Sequence, residues 1–205
     1  MRVLLSRAIL AAPLLLAACG ATAQGGLAQP TGATSPTVRP STSPGGATAS
    51  PSAAATPASC DTSVSGKGTV TQAQIVDVRV ASHSDYDRIV FEFAGRGGPA
   101  GVPEYEIKPA PRPVYRDPSG LPLTIAGDPI LGITLRGGTR MGLDGGAAYT
   151  GTTDFKTGYR SLTELAEGGD FEAIATWYAG LSGTSCVRAT VLSDPARLVI
   201  DLARR

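Results

Sequence analysis

Histidine occurs once in the 205 residues, tryptophan once, methionine twice and cysteine three times. With His83 the sole imidazole, a histidine-based triad or metal centre has one candidate and no second of its kind. Acids are missing before Asp61 and aromatic residues before Tyr86, so the first quarter of the chain has little with which to build a packed core. No apolar run reaches the roughly 20 residues that a bilayer-crossing helix needs. A basic excess is missing too. Three of the 18 Lys and Arg (Arg2, Arg7, Arg39) precede residue 60, leaving 15 against 17 acids, a formal −2 that argues against nucleic acid as a partner.

What is present begins with a positively charged start at Arg2 and Arg7, an apolar stretch from Ala8 to Ala18, and small residues before Cys19. This is the layout of a secretory signal peptide over residues 1–18. The order Leu16-Ala17-Ala18-Cys19 resembles the lipobox of bacterial lipoproteins, which implies that the Cys19 thiol is acylated and becomes the new N-terminus. One acyl chain binds a membrane marginally, whereas two or more hold firmly. Cys19 is therefore the expected tether to the extracytoplasmic face of the cell membrane, and an ordinary cleavage site with an accidental cysteine is the competing reading. Residues 19–59 read as a disordered linker of Gly, Ala, Ser, Thr and Pro, with Arg39 its only charge. A flexible coil of that length spans roughly 35 Å, enough to lift a domain off the membrane.

Residues 60–205 suffice for one domain with a real core. Cys60 and Cys186 fall in it, and an exported, oxidising setting favours a disulfide between them, with free thiols or partners in separate chains as the alternatives.

Alternation of apolar and polar residues dominates this domain. In "QIVDVRVAS", Val76, Val78 and Val80 alternate with Asp77 and Arg79; in "YDRIVFEFAG", Ile89, Phe91 and Phe93 face a core while Arg88, Val90 and Glu92 face water. Further strands are predicted at "PEYEIKP", "LGITLRG", "FEAIATWYAG", "CVRATVL" and "ARLVIDLA". The fold class is all-β, an antiparallel β-sandwich of about seven or eight short strands. Residues 161–167 stay ambiguous. Ser161 and Glu164 form a capping-box pattern, yet the segment also reads as the first arm of a hairpin turning at Gly168-Gly169. In "FEAIATWYAG" the parity sends Phe171, Ala173, Ala175, Trp177 and Ala179 to the core and Tyr178 outward, where its ring can meet a sugar.

"YDRIVFEFAG" and "SDPARLVIDLA" resemble the two characteristic strands of the AMIN domain family. The arrangement over roughly residues 70–203 looks most like the AMIN-like domain of actinobacterial lipoproteins. Arg88 with Ile89 to Phe93 matches the first motif, and Pro195 with Arg197 to Leu202 the second. The resemblance implies an antiparallel sandwich that serves envelope proteins, including cell-wall amidases, as a targeting or peptidoglycan-binding module. Here the two motifs are separated by most of the domain, and no amidase catalytic region follows. As plain ion pairs, Arg88 and Arg197 have Glu92 and Asp201 as candidate partners.

Three functions are expected, in this order. A lipid-anchored, noncatalytic envelope module would bind peptidoglycan or another wall polysaccharide, with Tyr178, Tyr149, Tyr159, Arg88 and Arg197 as candidate ligand-binding residues and no cofactor. An interaction module would dock an envelope protein through a sheet face or edge. A hydrolase would use His83 with Ser82, Ser84, Asp85 and Asp87, which are more simply turn-formers of the loop "SHSDYD". Glu104 and Glu106, on one side of a strand, are the weaker pair for glycoside hydrolysis. "GRGGPAG" is read as a loop, because Pro99 and Pro103 stand where a phosphate-cradling helix would begin.

Overall fold

The computed structural model describes residues 60–204. The expected signal peptide, Cys19 and the linker lie outside the described residues.

Among the described residues there are thirteen strands and no helix. Eight are long: β2 (Ala73–Ser82), β3 (Tyr86–Gly95), β4 (Glu104–Ala110), β7 (Ile130–Arg136), β10 (Leu162–Phe171), β11 (Ile174–Leu181), β12 (Ser185–Ser193) and β13 (Ala196–Arg204). Five are short: β1 (Val64–Gly66), β5 (Val114–Tyr115), β6 (Pro122–Leu123), β8 (Gly138–Thr139) and β9 (Asp154–Lys156). The count exceeds the seven or eight expected because pieces of two or three residues carry no readable alternation.

The strands form a six-stranded sheet ordered β1-β4-β7-β11-β10-β9, a five-stranded sheet ordered β12-β13-β3-β2-β8, and the two-stranded β5-β6. Pairing is antiparallel throughout the ladders except between β2 and β8, which run parallel over Ala73 and Gln74. The two large sheets share one core, with Ile89, Phe91, Leu198 and Ile200 from one and Ile107, Ile133, Leu165 and Trp177 from the other. The Phe91 and Trp177 rings meet edge to face at 5.5 Å, a geometry that adds roughly 0.5–1.5 kcal/mol beyond area burial. Buried Asp87 ties the layers together. It accepts from Ser82 Oγ at 2.7 Å within its own hairpin and from the backbone N–H groups of Ser161 and Leu162 at 2.5 and 2.9 Å. A disulfide joins Cys60 to Cys186, closing a loop across 126 positions.

Three local expectations are corrected. Val76 does not continue the core face of β2: a bulge between Ile75 and Asp77 makes it the extra residue, and Ile75 is the fully buried one. Of the two readings of residues 161–167 the hairpin arm holds, β10 beginning at Leu162, but its hairpin with β11 turns at Glu172-Ala173 instead of Gly168-Gly169, both turn residues at positive φ (53° and 58°), as a two-residue loop requires. Phe171 and Ala173 therefore leave the core row, and Phe171 is 50% exposed. Gly168 and Gly169 serve close approach instead of turning. A Cβ on Gly168 would lie 2.5 Å from the Tyr178 ring, and one on Gly169 would lie 2.4 Å from Asp117 O.

That approach brings in a second layer. The excursion from Pro111 to Pro129, with β5 and β6, lays Val114, Leu123 and Ile125 over Ala166, Ile130 and Tyr178 on the outer side of the six-stranded sheet.

Candidate binding surface on the five-stranded sheet

The two familiar strands, far apart in the chain, are neighbours in space. β13 pairs with β3 antiparallel, setting Arg197 opposite Glu92, Val199 opposite Val90 and Asp201 opposite Arg88. Partners across a ladder share a face, so this register brings Arg88, Val90, Glu92, Arg197, Val199 and Asp201 onto the outer face. β12 extends the rows with Arg188 opposite Asp201, and β2 extends them with Arg79 opposite Val90.

The charges are ordered. Arg88 forks onto Asp201, Nε to Oδ1 at 2.6 Å and Nη2 to Oδ2 at 2.9 Å. The hydrogen bond that Arg88 donates to Asp201 holds its guanidinium above its usual pKa. Arg79 donates to Glu92 at 2.9 Å and also to Asp77, and these carboxylates likewise raise its pKa, Glu92 most. Arg88 thus pairs across strands with Asp201, while Glu92, its within-strand candidate, is taken by Arg79. Arg197 donates from Nε to Pro195 O at 3.2 Å and has no carboxylate partner among the described residues. At the end of the face where β3 begins, the His83 ring stacks on Tyr86 at 4.5 Å, and the Arg88 guanidinium lies 5.0 Å from the Tyr86 ring centre. The arrangement offers donors on fixed guanidinium planes, flanked by an aromatic stack. Such donors suit oxygen-rich ligands such as carboxylates and saccharides.

The aromatic candidates go elsewhere. Tyr149 is buried in the main core, its hydroxyl donating to Thr152 O at 2.6 Å, and burial pushes its phenol up. Tyr159 packs against the same core. Tyr178 sits under the second layer, donating to Tyr115 O across a long 3.5 Å, and burial raises its pKa as well. Tyr178 occupies the opposite face of the six-stranded sheet from Tyr149 and Tyr159, so the three share no surface. The outward side of β11 is roofed where the sequence reading left it open.

The acid-base candidates are dispersed too. His83 rests on Tyr86, whereas Asp87 is committed to Ser82 and the β10 backbone, and Ser84 Oγ donates to Asp85 at 3.1 Å. Glu106 pairs with Lys108 at 2.9 Å and Glu104 with Arg136 at 3.7 Å. Residues that the sequence reading missed are Tyr86, now the aromatic member of the face, and Arg188. The alternation in "CVRATVL" places Arg188 on the outer side of its strand, but only the register shows that this side continues the Arg88 row.

A family model for the AMIN-like domain matches residues 73–204, from the first residue of β2 to the last of β13. No curated protein and no solved structure matches the chain. The AMIN-like domain is associated with cell-wall binding modules and is typically noncatalytic. Together with the Cys60–Cys186 disulfide it points to an extracytoplasmic location. With the match spanning nearly all of the described strands, this chain belongs to the AMIN-like domain family.

Proposed function

We propose that the protein is a lipid-anchored, noncatalytic module of the cell envelope that binds peptidoglycan or another wall polysaccharide through the outer face of its five-stranded sheet. The observation that carries this reading is the juxtaposition of β3 and β13, which lines up Arg88 and Arg197 on the same outer face. Arg88 is held in position by Asp201 and Tyr86, so little side-chain entropy is lost when it meets a ligand oxygen. Arg197 contributes a guanidinium free of carboxylates. Acylation at Cys19 would keep the domain at the membrane, and residues 19–59 would let it reach the wall.

The test is co-sedimentation of the full chain, purified in detergent, with isolated cell-wall sacculi. At low salt the protein should pellet with the sacculi, and Arg197→Ala should reduce the bound fraction several-fold without changing the melting temperature. No retention at low salt, or retention indifferent to both Arg88→Ala and Arg197→Ala, would rule out this face as the binding surface.

A further inference from the structure

The five-stranded sheet has two lateral borders, and they are defended differently. On the β2 side β8 covers Ala73 and Gln74, and beyond it the strand is bulged at Val76 and carries the Arg79–Asp77 pair, two common devices against edge pairing. On the other side β12 pairs with β13 through nine consecutive positions without a bulge, and it is uncharged from Ala189 to Ser193. Val191 and Leu192 are 36% and 37% exposed. The backbone N–H of Val187 points away from β13, donating to Asp61 O at 2.7 Å. By the alternation of an antiparallel ladder, Ala189, Val191 and Ser193 also point their backbone groups outward. None of these has a hydrogen-bond partner among the described residues.

We propose that β12 pairs antiparallel with β12 of a second copy of this chain, about a two-fold axis through Val191. Outward groups must meet outward groups, so odd positions face odd positions. Centring on Val191 sets it opposite the partner's Val191 and sets Ala189 opposite the partner's Ser193, using the open groups of all three positions. Moving the axis to Thr190 would call on Val187, which Asp61 already occupies. Moving it to Leu192 would bring Pro195, which has no N–H, opposite Ala189.

In the Val191 register Arg188 of each copy falls opposite the partner's Asp194. Both residues are exposed, and neither has an ion-pair partner in its own chain among the described residues. Arg188 does stand opposite Asp201 within its own sheet, but Arg88 occupies both oxygens of that carboxylate. The dimer thus gives each of these two charges a partner of opposite sign. Joined this way, two five-stranded sheets become one of ten strands and the Arg88 and Arg197 faces of both copies lie side by side, an arrangement that raises avidity for a repeating polymer.

Sedimentation velocity of the full chain in detergent, over a range of concentrations, decides the matter. A monomer–dimer equilibrium is expected. Val191→Lys should leave only monomer, because it puts two like charges on the axis. Arg188→Glu and Asp194→Arg should each weaken the dimer by about tenfold, since two symmetry-related contacts change sign, and the double variant should return to within about threefold of the parent. Thermal melts identify any variant that fails to fold. If Val191→Lys fails, the charge exchange still decides. Monomer at every concentration up to the sub-millimolar range, a dimer indifferent to Val191→Lys, or single losses that the double variant does not recover would each overturn the proposal.

Discussion

The outer side of the six-stranded sheet is roofed, with Val114, Leu123 and Ile125 packed over Tyr178 and Ala166, whereas the outer side of the five-stranded sheet carries Arg88, Glu92, Arg197 and Asp201 without a second layer among the described residues. Both sides arise from the same two-residue alternation along strands. What separates them is the side chains that the alternation sends outward. On β11 and β10 these are Tyr178, Gly180 and Ala166, on which another layer can settle, and Glu164, whose carboxylate accepts from Ala126 N–H of that layer at 2.8 Å and from Lys156. On β3 and β13 they include Arg88 and Asp201, paired with each other, Glu92, paired with Arg79 of β2, and Arg197, and covering them would mean desolvating these charges. A roof therefore forms where it gains apolar contact, and the charged face remains available to a ligand.

The contrast can be tested first where its effect is largest. Trp177→Ala, at the centre of the shared core, should lower stability by about 3–5 kcal/mol in chemical denaturation. Ile125→Ala, in the smaller cluster of the roof, should cost about 2 kcal/mol. It should also return the Tyr178 phenol toward its ordinary pKa as the covering layer loosens, which ultraviolet titration would register. An unchanged tyrosine titration would mean that the roof does not depend on Ile125.

On the charged face the stability effects are smaller and of a different kind. Arg88→Ala should cost about 1 kcal/mol, since its pair with Asp201 is only partly shielded. Arg197→Ala should change stability by less than about 0.5 kcal/mol. Equal losses would show that Arg197 also supports the fold.

The smallest effect concerns Glu167, a buried carboxylate on the inner side of the sandwich, where Arg140 Nε donates to it at 2.5 Å. Burial raises its pKa, Arg140 opposes the shift, and Asp170 adds to it. A carboxyl that holds its proton more tightly when folded contributes stability at low pH, and that contribution is lost as pH rises from the ordinary glutamate value, about 4.3, through the raised one. The melting temperature of the parent relative to Glu167→Gln should accordingly fall over that interval. A difference that rises with pH would mean that Arg140 outweighs burial.

Seven of the eight long strands were legible because each shows the alternation, with Ile89, Phe91 and Phe93 facing the core as their parity demands, whereas β10 stayed open between a helix and a strand. Parity misled where a ladder is interrupted. Val76 and Gly168 are extra residues, and one extra residue reverses the sidedness of what precedes or follows it. The paired glycines at 168 and 169 suit a turn as one of two readings of that segment, because glycine permits both a turn and a close approach. The actual turn falls on Glu172 and Ala173, residues with no turn signature, since the register on both sides leaves those two positions to close the hairpin.

By itself the sequence determined the all-β class, the choice of Cys60 and Cys186 as the cysteines available for pairing, and the strands that carry Arg88 and Arg197, because these depend on composition and on a short-range period. Tertiary structure alone decided that β3 and β13 lie side by side, that Tyr178 lies under a roof, and that β12 is left at the border. Each of these depends on which strands become neighbours and in what register. Those relations arise between residues distant in the chain, and a period of two carries no information about them.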